Sequence, residues 1–310
     1  MRSVFEIGLA HKVFAAAVCS GLCFILPLLA DSWVFTAAII SLFAPLPLMI
    51  VGLQYGYISC LKSAIVALIV VSFGSVHFSL QYIVYNAVPT VILIFMATQS
   101  KKDGNGKTWW CPEERLLSYL TACSVLISVF FNYTNSAQIA TTSLFGESSS
   151  LFSQNEKLRI LHSEASHVIY NLIPLLNGIK GFTWAMLMAI NIWAAQKVLE
   201  KTDLPALRPK LRLINVHLSA FNKWFFLVSL LLTVAVGFNK IWHITANALV
   251  LAFFPVFLNG LGVLSFIATG KGWILIVGLI LFTGPVLAIA LAGLVDGFWN
   301  VRYSLKKRLD

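Results

Sequence analysis

What this chain has little of is charge. Asp, Glu, Lys and Arg make up 11% of its 310 residues, where a soluble globular domain carries about 25%. The deficit is organised. No charged residue falls between Lys12 and Asp31, Asp31 and Lys62, Lys62 and Lys101, Arg115 and Glu147, Lys240 and Lys271, or Lys271 and Asp296. A helix needs roughly 17–25 apolar residues to cross a bilayer, and it must satisfy its own backbone hydrogen bonds because no water is there to do so. Repeated uncharged runs of this length exclude an ordinary soluble fold and predict a polytopic membrane protein.

Other absences narrow the function. The five cysteines, Cys19, Cys23, Cys60, Cys111 and Cys123, form no C-x-x-C pair and are odd in number, which argues against a disulfide framework. Without a supporting histidine or carboxylate cluster they do not form a metal site, and no metal or cofactor is expected. His162 and His167 are a weak pair on a polar segment. There is no H-E-x-x-H, no G-x-S-x-G and no paired acidic motif within a run. Gly106-Lys107-Thr108 looks like the tail of a phosphate-binding loop, but Lys101 stands where that loop needs its first glycine. The chain is not expected to be an enzyme. Its net charge of +10 sits at the ends of apolar runs, where cations orient helices and meet anionic headgroups, so no nucleic acid is expected as a partner.

Hydrophobic residues make up 59% of the chain. Candidate spans lie at about 13–30, 33–54, 57–75, 79–98, 116–134, 168–198, 222–239, 244–269 and 273–296. Residues 1–30 imitate a secretory signal, but the run is long for a signal core and a second run follows at Trp33, so an uncleaved first span is expected. Polar loops are predicted at about 99–115, 135–166 and 199–221. The first carries Lys101, Lys102, Lys107 and Arg115. Around the last lie Lys197, Lys201, Arg208, Lys210, Arg212 and Lys223. The positive-inside rule puts both in the cytoplasm with the N-terminus, and the Ser/Thr/Asn-rich 135–166 outside. Nine spans put Arg302, Lys306, Lys307 and Arg308 outside. Eight put them inside, if 244–269, with Pro255 and Asn259-Gly260 near its middle, enters and returns without crossing. The fold class is therefore an all-α transmembrane bundle of eight or nine spans, one integral domain over 1–310, in a bacterial inner membrane.

Within the runs, prolines and polar side chains mark the places of interest. Pro45 and Pro47 each remove a helix hydrogen bond; they mark either a kink or helix end, or a broken helix lining a binding site with Gly52 and Gly56. Polar groups in apolar runs need partners: Lys62, Tyr85, Asn86, Asn171, Asn177, Lys180, Asn191, Asn247, Asn259 and Asp296, the last with Arg302 in reach. The asparagines serve either interhelical hydrogen bonds or a ligand. Candidate ligand-lining residues are Pro45, Pro47, Gly52, Gly56, Tyr85, Asn86, Asn171 and Asn259. Ala16 with Ser20 and Ala17 with Gly21 form a small-residue face for close helix approach, within the molecule or toward a partner subunit.

Two stretches carry a resemblance. APLPLMIVGLQYG (44–56), and NALVLAFFPVFLNGLGVLSF (247–266) followed by GLVDGFWNVRYSLKKR (293–308), resemble the YybS-like family of bacterial predicted membrane proteins, for which no biochemical activity is established. More distantly, Gly52-Leu-Gln-Tyr-Gly56 and the Ala17/Gly21 face are similar to the substrate-binding subunits of energy-coupling-factor vitamin transporters. In those subunits the small-residue face docks a membrane coupling protein. Here Tyr57 stands where proline is usual after the second glycine, and the spans exceed the usual six. The resemblance implies a membrane subunit that binds a small solute between helices and is energised by a partner. The alternative is a structural or assembly protein that binds other membrane proteins through helix faces. The bilayer, and a membrane coupling protein or another membrane protein, are the expected partners.

Overall fold

A computed structural model describes residues 2–29, 34–134, 175–202, 204–212, 215–237, 241–267 and 285–304. The loop at 135–166 and the candidate Asn171 lie outside the described residues. Almost everything described is helical: α1 (Arg2–Leu29), α2 (Val34–Ser41), α3 (Pro45–Tyr55), α4 (Tyr57–Ser72), α5 (Val76–Tyr82), α6 (Val88–Thr98), α7 (Glu113–Thr134), α8 (Leu176–Lys201), α9 (Ala220–Val236), α10 (Trp242–Ile267) and α11 (Pro285–Trp299). Among the described residues three stretches, Leu9–Leu26, Val76–Thr98 and Trp242–Ile267, are long and apolar enough to cross a membrane; Ile39–Tyr55, Tyr57–Ser72, Ala220–Val236 and Val286–Trp299 are shorter apolar helices.

Two proline sites interrupt the helices, and the bundle repairs both. Pro45 and Pro47 have no N–H to give, so α2 stops at Ser41 and the chain turns through 42–44. It restarts as α3 with proline in its first turn, where a missing N–H costs nothing. The Ser41 and Phe43 carbonyls that the prolines cannot bond accept from Ala44 N and Leu46 N. Side chains bond two further carbonyls at the break: Asn191 Nδ2 of α8 donates to Leu42 O at 3.0 Å, and Ser20 Oγ of α1 to Ala44 O at 2.7 Å. At Pro89 the repair is a π-helical turn, Ile83–Ala87, between α5 and α6. Proline at 89 cannot bond the Tyr85 carbonyl four residues back, and Trp184 Nε1 of α8 donates to that oxygen at 2.8 Å. A broken helix is tolerated in an apolar medium when other protein receives the freed groups. Pro255 behaves differently: α10 runs unbroken through it from Trp242 to Ile267, with no break at Pro255 or at Asn259-Gly260.

Gly56 joins α3 to α4 at φ +91° and ψ 170°, a conformation open essentially to glycine alone. Between α6 and α7 the predicted loop contains a short antiparallel hairpin, Ser100–Lys102 with Thr108–Trp110, pairing Lys101 with Trp109. Glu113 and Glu114 then begin α7, where acidic side chains suit the positive end of the helix dipole. Ser219 caps α9, accepting from Asn222 N at 3.2 Å.

The main core draws on α1, α3, α4, α6, α7, α8 and α10, with Leu48, Met49, Leu93, Ile94, Met188 and Phe254 among its most enclosed side chains. A smaller cluster of Leu218, Phe226, Ala252, Val256 and Ala290 joins α9, α10 and α11. In lipid such packing is driven by close contact, not by escape from water, so small residues matter. The tightest approach is α10 on α11: a Cβ on Gly260 would overlap the Ile289 carbonyl, and one on Gly293 the Val256 carbonyl.

Candidate functional site

Helix α8 organises the site. Trp184 and Asn191 stitch both interrupted helices to it, while Ala185, Met188 and Ala195 carry it through the core. At its start, Asn247 Oδ1 of α10 accepts from Gly178 N at 2.6 Å. Beyond its end, residues 204–212 and 215–219 do not leave the bundle but run beneath it as a strap. Leu207 N donates to Leu53 O at 2.8 Å, Arg208 Nη1 to Ala97 O at 3.2 Å, and Leu211 N to Gln196 Oε1 at 3.0 Å. The strap thereby fastens the ends of α3, α6 and α8 together. Arg208 is buried and lies 3.7 Å from the Glu113 carboxylate; burial draws its guanidinium below the ordinary value, and Glu113 acts against that.

Above the strap the helices fail to close. They leave a cavity of about 100 Å³ walled by Leu93 of α6, Leu116, Leu117 and Leu120 of α7, Ala189, Ile192 and Trp193 of α8, and Leu258 of α10. Leu211 and Val216 of the strap form its floor. Its lining is apolar except for Glu113 and Arg212. A wider space of about 420 Å³, bounded by Ile179, Phe182, Leu249, Val250, Phe253 and Val286, has no polar side chain to orient a ligand.

Next to the strap lies a buried ionic clamp. Asp296 and Arg302 are 1% and 4% exposed and meet at 2.7 Å. Asn300 takes φ +48°, turning the chain back so that Arg302 reaches Asp296. Arg302 N donates to Asp296 Oδ1 at 3.0 Å, and Arg302 Nη2 to Asn259 Oδ1 at 2.7 Å and Val216 O at 2.6 Å. Asn259 Nδ2 donates to Gly293 O at 2.7 Å. His217 Nδ1 is 3.1 Å from the same guanidinium; burial first, then the Arg302 charge, hold this imidazole below the usual histidine value. The clamp ties α10 and α11 to the strap.

The sequence candidates fall into three places. Pro45 and Gly52 are buried in α3, Gly52 against Ile94 and Cys60, and Pro47 and Gly56 are partly buried nearby. Tyr85 and Asn86 sit in the π turn, Tyr85 edge-on to Phe130. Asn259 belongs to the clamp. None of these seven lines either cavity. Ala17 is fully buried, and Gly21 faces Val70 and Ala67 of α4, so that small-residue face is used within the chain. Sequence reasoning missed the cavity wall, Trp184 and the strap. Among the described residues no group of three or more His, Cys, Asp or Glu side chains could hold a metal ion.

The fold and these contacts define a helical membrane protein whose broken helices converge on one receiving helix. The chain belongs to the family described as Predicted membrane protein (DUF2232), which it matches over residues 21–297. No curated protein and no solved structure matches it.

Proposed function

We propose that this chain is a transport-related membrane subunit that binds a small solute between its helices, in the cavity above the strap. The observation that carries this reading is the cavity itself: α6, α7, α8 and α10 pack closely elsewhere, yet stand apart where the strap forms a floor. A partner supplies the energy. An ion-coupled carrier uses a deep ionisable group whose pairing changes with occupancy. Here the buried pair Asp296–Arg302 is held by Asn259 and the Val216 carbonyl, and the groups stitching α8 are neutral.

The hairpin, the strap and the N-terminus face the cytoplasm of a bacterial inner membrane. Arg302 touches Val216, which supports a C-terminal side shared with the strap. An impermeant thiol reagent tests this topology: single cysteines at 105 and 303 should react only after the cells are opened.

For binding, the purified protein should release a small molecule on denaturation, detectable by mass spectrometry, and Ala189→Phe should remove it while α-helical content is retained. Equal recovery from both proteins, or none from either, would contradict this reading.

A further inference from the structure

We propose that the cavity takes a small apolar body bearing one anionic group, with Arg212 as the residue that holds the charge. This rests on the binding reading above and names the ligand's class. The two charged residues at the cavity are not equivalent. Glu113 is already answered: the buried Arg208 stands 3.7 Å from its carboxylate and is fixed by the Ala97 carbonyl. Arg212 is exposed at the rim, and among the described residues no carboxylate lies within ion-pair distance of it. Its neighbour Lys210 is committed to Glu200 at 3.0 Å.

Of the two charged residues in the lining, Glu113 thus faces Arg208, which lies outside the lining, and Arg212 is the cation left to meet a ligand. A cationic ligand would be repelled there. A neutral one would leave the guanidinium unused. A carboxylate can take two parallel N–H donors from the planar fork.

Size limits the rest. An apolar cavity of about 150 Å³ holds a benzene ring, so about 100 Å³ suits a body of roughly four carbons. That excludes a whole phospholipid chain and points to a free short-chain or branched acid.

The test is equilibrium binding of pentanoate, pentanol and pentylammonium to the full-length protein in a non-ionic detergent, followed by ligand-observed NMR at millimolar concentration. Pentanoate should bind best. Arg212→Gln should weaken it about tenfold, the loss of one charge-assisted contact, and leave it no better than pentanol. Arg212→Lys should restore part of the difference. Ala189→Phe should abolish binding of pentanoate and pentanol alike. If pentanol or pentylammonium binds wild type as well as pentanoate does, or if Arg212→Gln changes nothing, the anionic class is wrong while the cavity reading stands. If no probe binds, both fail.

Discussion

Replacing Asp296 by asparagine keeps the side chain's shape and removes its charge. Arg302, 4% exposed, then loses the carboxylate it meets at 2.7 Å. Breaking a buried pair from one side typically costs about 3–5 kcal/mol, because the surviving charge is stranded. The Asn259 and Val216 oxygens that Arg302 also bonds place Asp296→Asn toward the lower end, at about 3 kcal/mol. Arg302→Met strands the carboxylate and should cost at least as much. Asp296→Leu with Arg302→Met removes both charges; its cost should fall below the sum of the singles by about 2 kcal/mol or more, the coupling expected of residues in one network. Thermal unfolding in detergent, read by a thiol-reactive dye with Cys60 as the remaining cysteine, measures all of these, since Cys60 is fully enclosed when folded. Additive costs, or an Asp296→Asn protein as stable as wild type, would show that the clamp does not hold α10, α11 and the strap together.

Gly56→Ala should destabilise by about 1–3 kcal/mol through backbone strain alone, because a Cβ there meets just Leu207 at an ordinary 3.6 Å; the same thermal assay reads it. Gly293→Ala acts through space, since its Cβ would overlap the Val256 carbonyl; it should cost about 1–3 kcal/mol or more and loosen α11 in hydrogen exchange. His217 gives an acid-side dependence. Its folded value is depressed, so its contribution is complete above the unfolded value of about 6.5 and is lost as pH falls through the folded one. Melting temperature should drop on acidification, and His217→Gln should flatten that limb.

Much of the architecture was legible because membrane helices declare themselves by uncharged length. The Pro45–Pro47 break was legible too, since a missing N–H is written in the sequence. Pro255 shows the limit of that inference: the same residue type sits inside a continuous helix. The hairpin was not read from the sequence, where 99–115 stands as a polar loop; Asp103-Gly104-Asn105-Gly106 carries turn chemistry, but the segment is too polar to show strand alternation. Asp296 and Arg302 were close enough in the chain to be paired by eye. The strap was not readable, because two of its anchors are backbone carbonyls of Leu53 and Ala97, far away in sequence and without a side-chain signature. Nor was the cavity, since leucines that line a space are written like leucines that fill one.

The most direct test of the binding account is a structure of the wild-type protein purified from its own membrane, beside that of Ala189→Phe. The account predicts extra density bounded by Leu93, Leu120, Leu258 and Leu211, with its polar end at Arg212, and none in the variant. A wild-type space collapsed onto its own leucines, with the strap still docked, would contradict it.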